Sequence, residues 1–299
     1  MKILVIGSRG FIGSHCYEYF RNKGYETYGC DIFPDASNKN YFFIQPGSAD
    51  YSTAFQHISF DACINASGSA SVGLSLQYPE KDYELNVLNV KKILEAIQSF
   101  NPQCKFVNLS SAAVYGNPET LPIKETSRLQ PISPYGKNKL SSEKVLKEYH
   151  EKYGIGTCSL RIFSAYGPGL KKQILWDIYQ KAIQNNLVTL FGTGKESRDF
   201  IYISDIVRAI ECIVLNAPFR AEPVNVASGF ETTIEEVARL FIKYFNNKLT
   251  LSFTGVIKEG DPQNWVADIS VLKNLGFVAA VNTEQGIASY IDWLKKDLL

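Results

Sequence analysis

Residues 5–15 read Val-Ile-Gly-Ser-Arg-Gly-Phe-Ile-Gly-Ser-His, which places glycines at positions 7, 10 and 13 directly after an apolar run that starts at residue 2. At a turn from a strand into a helix, one glycine allows the sharp turn, one allows the backbone to approach a pyrophosphate, and one allows the helix to pack closely on the sheet. A helix from about Phe11 would offer free N–H groups and the positive end of its dipole to phosphates. This stretch therefore predicts a dinucleotide-binding turn.

A second apolar strand, residues 25–30, ends at Asp31, which lies 18 residues after Gly13. In such folds an acidic residue about 20 residues past the glycines bonds the adenosine ribose. A carboxylate there bonds the ribose hydroxyls of NAD and repels the 2′-phosphate of NADP, so NAD is favoured over NADP. Arg9 complicates this choice, because it could contact the pyrophosphate, reach a 2′-phosphate or simply be solvated. The cofactor-binding residues predicted in this region are Gly7, Arg9, Gly10, Phe11, Ile12, Gly13 and Asp31.

The composition argues against several other classes of protein. With 299 residues and 45% hydrophobic content the chain can bury a large core, and its net charge of +1 gives no electrostatic case for a nucleic-acid or membrane partner. No apolar run reaches the roughly 18 residues of a membrane span. The six cysteines lack Cys-x-x-Cys spacing, and the three histidines share no metal-ligand spacing. We therefore expect a cytoplasmic protein with reduced cysteines and no metal site.

The order of elements predicts an α/β fold. Strand-like and helix-like segments alternate over the first half, which indicates βαβ units and a Rossmann-type, doubly wound parallel sheet. Strands are expected near residues 2–6, 25–31, 41–45, 60–65, 104–110 and 157–163, and helices near 11–23, 80–99 and 134–153.

The second half predicts a smaller α+β lobe over the carboxyl edge of the sheet. Pro168 and Gly169 mark a break, after which short strands alternate with helices near 171–184, from Ser204-Asp205 and from the capping pattern Thr233-x-x-Glu236. We expect an NAD-binding domain of residues 1–167 plus about 196–227. The substrate lobe would comprise about 168–195 and 228–299.

The candidate acid–base pair is a tyrosine followed four residues later by a lysine. The positive charge of a lysine on the next helical turn can lower the pKa of a phenol from its usual value of about 10. This spacing occurs three times, at Tyr19/Lys23, Tyr135/Lys139 and Tyr244/Lys248. Only the pair at 135 and 139 opens a helix shortly after a buried strand, residues 105–111, whose last residue Ser111 could bond the same substrate oxygen as Tyr135.

A further set of motifs extends along the chain from residue 1 to about 295. It comprises the three glycines, Asp31, Ser110-Ser111-Ala-Ala-Val-Tyr-Gly116, Ser133-Pro-Tyr-Gly-Lys-Asn-Lys139, Arg198-Asp-Phe-Ile-Tyr202 and Gly260-Asp-Pro262. Together these motifs resemble the extended short-chain dehydrogenase/reductases. Within them, the resemblance is strongest to the NAD-dependent nucleotide-sugar epimerases and dehydratases of the UDP-glucose 4-epimerase type.

The resemblance implies roles for individual positions. Tyr135 would take the proton of a sugar hydroxyl, Lys139 would hold the nicotinamide ribose and lower the pKa of the tyrosine, and Ser111 would bond the reacting oxygen. Arg198 would bind the substrate diphosphate, as suits a guanidinium, although an ion pair with a neighbouring aspartate is the alternative. Further cofactor-binding residues would be Ala66, Ser67, Gly68, Asn86, Ser110, Tyr135 and Lys139. The substrate-binding residues would be Ser111, Ser164, Gln173, Arg198, Lys258 and Trp265.

Departures from the family pattern narrow the reaction. The 4,6-dehydratases have Asp-Glu after the residue that matches Ser111, whereas this chain has Ala112 and Ala113, which cannot move protons. Ketoreductases of the GDP-fucose-synthase type have a cysteine at the position that matches Ser111. The serine in this chain therefore disfavours that subtype as well. Trp265 matches a residue that limits the C2 substituent of the sugar, although packing between lobes explains it equally well.

Three further positions depart from the residues usual in the family. Ser164 and Gln173 each replace an asparagine, and Lys258 replaces an arginine. These three differences from the family pattern leave the identity of the nucleotide base undetermined.

Three functions remain from the sequence. The first is an NAD-dependent nucleotide-sugar 4-epimerase, in which C4 is transiently oxidised and the hydride returns to the opposite face. The alternative is an NAD(P)H-dependent nucleotide keto-sugar reductase, and a third is a non-catalytic dinucleotide-sensing protein. By analogy with the family, helices 80–99 and 134–153 would pair with a second subunit in a homodimer.

Overall fold

The computed structural model describes residues 1–256 and 263–298, which form strands and helices in alternation over the first half of the chain. The strands are β1 Lys2–Ile6, β2 Glu26–Asp31, β3 Tyr41–Phe43, β4 Ala62–Asn65, β5 Lys105–Ser111, β6 Thr157–Ile162, β7 Ser164–Tyr166, β8 Leu187–Leu190, β9 Ser197–Tyr202, β10 Arg220–Val226, β11 Glu231–Thr233 and β12 Thr250–Phe253. The helices are α1 Phe11–Asn22, α2 Ser52–Phe55, α3 Val72–Gln77, α4 Pro79–Tyr83, α5 Asn89–Phe100, α6 Pro134–Tyr153, α7 Gln173–Ala182, α8 Ile203–Asn216, α9 Ile234–Phe245, α10 Ser270–Asn274 and α11 Thr283–Leu298.

The main sheet is parallel, with the strand order β10-β6-β5-β4-β1-β2-β3. The chain moves outward from β1 through β2 to β3 and then returns to place β4 on the other side of β1. Ligands of open α/β sheets bind at such a reversal, beyond the carboxyl ends of the strands. Because the sheet is parallel, the loop after β1, Asp31 at the end of β2 and Ser111 at the end of β5 share this edge. The predicted Rossmann-type fold is confirmed.

Helices cover both faces of the main sheet. In β1, Ile3 and Val5 join a core with α1 and α8, while Leu4 and Ile6 join a second core with α2, α5 and α6. A strand buried on both faces reads as a continuous apolar run, which is why residues 2–6 carry no alternating pattern. The cysteines are free, and all but the half-buried Cys212 lie buried in the protein.

The second half adds two small sheets, β11-β9-β7 and β12-β8, with a third core among α7, α9 and α11. The predicted capping box is present, because Thr233 Oγ1 accepts the Glu236 N–H and the Glu236 carboxylate accepts the Thr233 N–H. The predicted domain boundaries stay a prediction. No helix within residues 1–256 and 263–298 is long and apolar enough to cross a membrane.

The predicted helix over 80–99 differs most from the structure. It is observed as α4, a π-helical turn over Glu84–Leu88, and α5. A π turn is a feature often found at functional sites. It turns Asn86 inward, where 2% of its surface is exposed. Sequence periodicity does not distinguish such a turn from a continuous α-helix.

Candidate active site

The glycine loop between β1 and α1 is packed so closely against neighbouring backbone that it requires glycine. Gly7 has φ +80°, and a Cβ there would lie 2.6 Å from the backbone nitrogen of Ser67, in the loop after β4. A Cβ on Gly13 would overlap the carbonyl oxygen of Gly7, and one on Gly10 would lie 3.2 Å from the same oxygen. The loop therefore packs against its own helix and against the β4 loop at distances that side chains do not allow.

Asp31 is oriented by two backbone N–H groups. Its Oδ2 accepts from Arg9 N at 2.9 Å, and its Oδ1 accepts from Ile32 N at 2.7 Å. The Arg9 guanidinium pairs with the Asp35 carboxylate and lies 5.6 Å from the ring centroid of Tyr41. The structure thus shows an arginine engaged by an acid close to the Asp31 loop, and its role toward the cofactor stays a prediction.

The loop Ala66-Ser67-Gly68 faces Asn86. Gly68 has φ +105°, and a Cβ there would lie 2.6 Å from Asn86 Oδ1. Among the described residues, neither amide atom of Asn86 has a hydrogen-bond partner, although both are buried. A buried amide without partners is costly unless a ligand supplies them. The unpartnered buried amide of Asn86, which lies against the Gly68 backbone, fits a bound dinucleotide.

The first turn of α6 positions Tyr135 against Ser111. Ser133 caps α6, its Oγ accepting the Gly136 N–H at 3.1 Å, and Pro134 occupies the first turn. A Cβ on Gly136 would lie 2.6 Å from Ala113 O, in the 3₁₀ turn that follows Ser111. The start of α6 therefore packs directly on the end of β5.

The pair Tyr135/Lys139 is buried, with 8% and 6% of each residue exposed. Burial raises the pKa of Tyr135 to about 12, and a hydrogen bond with Ser111 opposes this rise. Burial also lowers the pKa of Lys139 to about 8. Lys139 Nζ donates to Leu109 O at 2.9 Å and lies 5.8 Å from the ring centroid of Tyr135. The arrangement can hold and move a proton at the phenol oxygen.

A buried ion pair supports this helix, and the sequence analysis missed it. Arg161 on β6 donates through Nε and Nη2 to the Glu143 carboxylate, at 3.1 and 2.7 Å. Ser110 Oγ donates to the same carboxylate at 2.6 Å, and Arg161 also donates to Tyr115 Oη at 2.9 Å. The signal in the sequence is a glutamate four residues after Lys139, which puts both on one helical face.

The other two Tyr-x-x-x-Lys pairs lie elsewhere. Tyr19 donates to the carboxylate of Glu211 on α8, which also lies 3.7 Å from Lys23 Nζ, so this pair lies in the contact between α1 and α8. The third pair does not share a helix, because α9 ends at Phe245 between Tyr244 and Lys248.

A sequence profile of the NAD dependent epimerase/dehydratase family matches residues 3–227. The chain belongs to this family. A Bacillus subtilis protein described as an uncharacterised UDP-glucose epimerase is 31% identical, with 98% of each chain covered. The structure of UDP-glucuronic acid 4-epimerase from Bacillus cereus with UDP-glucuronic acid and NAD superimposes with a TM-score of 0.89 at 26% identity, covering 99% of both chains. UDP-glucose 4-epimerase from Thermotoga maritima, with UDP-glucose, gives 0.88 at 26% identity over all of both chains.

Membership of the epimerase/dehydratase family decides several sequence predictions. The protein is an enzyme of the extended short-chain dehydrogenase/reductase type, and its cofactor is NAD. The activity in the names of its relatives is 4-epimerisation, which does not favour the keto-sugar reductase. Enzyme status sets aside the non-catalytic alternative. The roles of individual residues stay predictions.

Two of the predicted substrate residues contact each other. On β9, Arg198 Nη1 donates to Ser197 O at 2.7 Å and to Gln263 O at 3.1 Å, and its guanidinium lies 5.8 Å from the ring centroid of Trp265. Trp265 is 9% exposed, and its Nε1 donates to Gly116 O at 2.9 Å. The indole therefore packs against the loop after β5 while one face lies near the arginine.

The remaining substrate candidates are spread over the second half. Ser164 begins β7, which pairs with β9, so it lies in the same small sheet as Arg198. Gln173 begins α7 with φ +65°, a left-handed conformation that is uncommon outside glycine and asparagine. Lys258 and the motif 260–262 lie outside the described residues.

Proposed function

We propose that the protein is an NAD-dependent nucleotide-sugar 4-epimerase acting on a UDP-sugar. The observation that carries the proposal is the meeting of Ser111, Tyr135 and Lys139 at the carboxyl edge of the main sheet, beside the glycine loop. The curated and solved relatives add support, because those named for an activity are UDP-sugar 4-epimerases. The chain's own residues supply the rest of the argument.

Tyr135 is the group that exchanges a proton with the sugar hydroxyl at C4. Its hydroxyl interacts with Ser111, so both side chains can meet one substrate oxygen. The cofactor, when bound, accepts a hydride from C4 and returns it. Tyr135 takes the hydroxyl proton as C4 becomes a ketone and gives it back when the opposite face of C4 is reduced. Because one residue does both, the reaction needs no second acid or base.

Lys139 keeps a positive charge next to this proton exchange. Its pKa of about 8 leaves it mainly as an ammonium at neutral pH. One N–H is used by Leu109 O at 2.9 Å, which fixes the side chain and leaves the other two for cofactor hydroxyls. A fixed ammonium stabilises the phenolate form of Tyr135 while that form lasts.

The residues after Ser111 argue against dehydration. Ala112 and Ala113 form the 3₁₀ turn that packs under α6, and Ala112 is fully buried. Neither side chain can protonate a leaving hydroxyl or abstract a proton at C5. The same reaction centre therefore serves oxidation and reduction at C4 only.

At the nucleotide end, we propose that Arg198 binds the diphosphate and that Ser111, Ser164, Gln173 and Lys258 complete the substrate site. The guanidinium of Arg198 lies 5.8 Å from the ring centroid of Trp265, and a planar guanidinium suits bidentate contacts to phosphate oxygens. Trp265 would then act as a wall behind Arg198, and its burial limits the room for a bulky sugar substituent.

The proposed subunit arrangement is a homodimer through the helices of residues 79–100 and 134–153. Tyr83 and Leu88 on the first and Tyr153 on the second are exposed, and exposed large apolar residues are candidates for a contact site. Light scattering during size-exclusion chromatography should give twice the chain mass. Leu88→Glu should give monomers, while Leu215→Glu on α8 should not. A monomeric wild type would refute the arrangement.

The activity can be tested by proton NMR with UDP-glucose and UDP-glucuronate. We expect the C4 epimer of one of them to appear without added NADH or NADPH. In D₂O the C4 hydrogen should be retained, because it leaves and returns as hydride while Tyr135 exchanges only the hydroxyl proton. Net consumption of NADPH with a keto-sugar, and no epimer from any UDP-sugar, would refute the proposal.

A further inference from the structure

Asp82 is a buried carboxylate that the reaction above does not use. It lies on α4, where 3% of its surface is exposed. Its Oδ2 accepts from Asn138 Nδ2 at 2.8 Å, and Asn138 is the residue before Lys139 on α6. Within residues 1–256 and 263–298, its Oδ1 has no hydrogen-bond partner.

Asp82 is buried on a helix whose neighbouring side chains are exposed. The neighbouring residues Glu80, Lys81, Tyr83 and Glu84 are all exposed, whereas Asp82 and Asn86 are turned inward. Both inward residues keep unpartnered polar atoms. Burying a carboxylate with a free oxygen costs several kcal/mol more than burying an apolar side chain. Packing between α4 and α6 alone would be served better by an apolar residue.

The charges around Asp82 identify its partners. Within residues 1–256 and 263–298, the elements with the most extensive contacts to α4 are α3, the π turn and α6. The α3 sequence Val-Gly-Leu-Ser-Leu-Gln has no titratable side chain, and the titratable residue of the π turn, Glu84, is exposed. On α6 the groups that feel the charge of Asp82 are Tyr135 and Lys139.

The other carboxylate that acts on Lys139 is already engaged. Glu143 also raises the pKa of Lys139, but both of its oxygens accept from the Arg161 guanidinium. The negative charge of Glu143 is therefore largely neutralised by a cation of its own. Among the described residues, the hydrogen-bond partner of Asp82 is the neutral amide of Asn138, so the charge of Asp82 acts on the Tyr135/Lys139 pair with little compensation.

We propose that Asp82 is a positioning residue for the Tyr135/Lys139 pair, holding α6 through Asn138 and keeping the Lys139 ammonium charged in a buried site. The inference rests on the proposed function for its role in turnover, but not for its electrostatic effect. The charge of Asp82 works against the burial that discharges Lys139. The same charge also favours the neutral phenol of Tyr135, so Asp82 moves the working range of the pair as a whole toward higher pH.

The test is Asp82→Asn, which keeps an acceptor for Asn138 and removes only the charge. Without the charge the pKa values of both Tyr135 and Lys139 fall. In the NAD-loaded enzyme the alkaline limb of kcat/KM, set by Lys139, should therefore move about one unit to lower pH. The control is Glu80→Gln on the same helix, where solvent screens the lost charge and the alkaline limb should stay in place.

A purely structural role predicts a different outcome. If Asp82→Asn lowers the melting temperature or kcat while the alkaline limb stays at the wild-type pH, the proposal is wrong. Asp82→Glu restores the charge and should restore the wild-type limb even if it costs stability. This variant separates charge from packing.

A second measurement keeps the two proposals apart. In protein with ¹³C-labelled tyrosine rings, the Tyr135 resonance is assigned by its loss in Tyr135→Phe. It should titrate at lower pH in Asp82→Asn than in the wild type, whether or not a UDP-sugar is turned over. No epimer with any UDP-sugar but a shifted titration would refute the proposed function and keep the role of Asp82. An unshifted titration would refute the role of Asp82 itself.

Discussion

Helices α1 and α6 each carry a tyrosine and a lysine four residues apart, and the two pairs have nearly the same internal geometry. Lys23 Nζ lies 5.5 Å from the ring centroid of Tyr19, and Lys139 Nζ lies 5.8 Å from that of Tyr135. Their surroundings differ. The side chain of Lys23 is 53% exposed beside the Glu211 carboxylate, whereas Lys139 is buried and donates to a backbone carbonyl.

The difference shows that burial and neighbours, rather than spacing, make an acid–base pair. Burial brings the pKa of Lys139 to about 8, so its charge is sensitive to what lies around it. On α1, the hydroxyl of Tyr19 already donates to the Glu211 carboxylate of α8, so it is engaged within the protein. One pair can exchange a proton with a ligand, and the other fastens α1 to α8.

The largest expected contrast is between the two tyrosines. Tyr135→Phe should reduce turnover by about 10²-fold or more, the usual loss for an acid–base group, while NAD stays bound. Tyr19→Phe should leave turnover unchanged. Steady-state rates and the NAD content of the purified proteins measure both. Near-normal turnover in Tyr135→Phe would refute the assignment of Tyr135 as the acid–base residue.

The two lysines should differ in the pH profile. Wild-type activity is expected to fall as pH rises through about 8, because the Lys139 ammonium is lost there. Lys139→Met should lower turnover at pH 7 about tenfold or more and remove this alkaline limb. Lys23→Met should keep both the rate and the limb. A limb near pH 8 that persists in Lys139→Met would assign it to another group.

A smaller effect is expected from the contact between Gly136 and Ala113, which packs the start of α6 on the end of β5. Gly136→Ala places a Cβ 2.6 Å from Ala113 O and should destabilise the protein by about 1–3 kcal/mol while slowing turnover. Gly73→Ala in α3 meets open space and should raise stability by about 0.5 kcal/mol. Urea unfolding followed by circular dichroism compares the two. Equal stability of the variants would contradict the close packing at Gly136.

The smallest effect is expected on α1. Glu211→Gln weakens the contacts to Tyr19 and Lys23 and should cost about 1 kcal/mol of unfolding free energy with no change in turnover. Urea unfolding and the steady-state rate are the measurements. A change in turnover would show that the α1 pair is coupled to the site after all.

Steric constraints between residues that are close in the sequence explain which features of the molecule could be predicted from the sequence alone. The glycine loop and Asp31 could be predicted because their spacing reflects steric demands within one βαβ unit. The choice of Tyr135 over Tyr19 could also be made, since the Ser133-Pro134 start of α6 follows a strand that ends at the ligand edge. In each case the deciding contacts lie close together along the chain.

The missed features depend on contacts between distant segments. Arg161 meets Glu143 across the strand–helix connection, and Asp82 meets Asn138 from 56 residues away. The π turn that turns Asn86 inward leaves the apolar periodicity almost unchanged. The packing of Trp265 on Gly116, which is one of the two interpretations of this residue, joins segments 149 residues apart, so the neighbouring sequence could not decide between them.

The ion pair of Arg9 with Asp35 has a consequence for engineering coenzyme use. The chain already carries a guanidinium next to Asp31, the residue predicted to bond the adenosine ribose, and a guanidinium is the group that a phosphorylated ribose would require. Replacing Asp31 alone removes the repulsion but leaves Arg9 occupied by Asp35. We expect a redesign toward phosphorylated coenzymes to require both acids to be changed together, with neither single exchange sufficient.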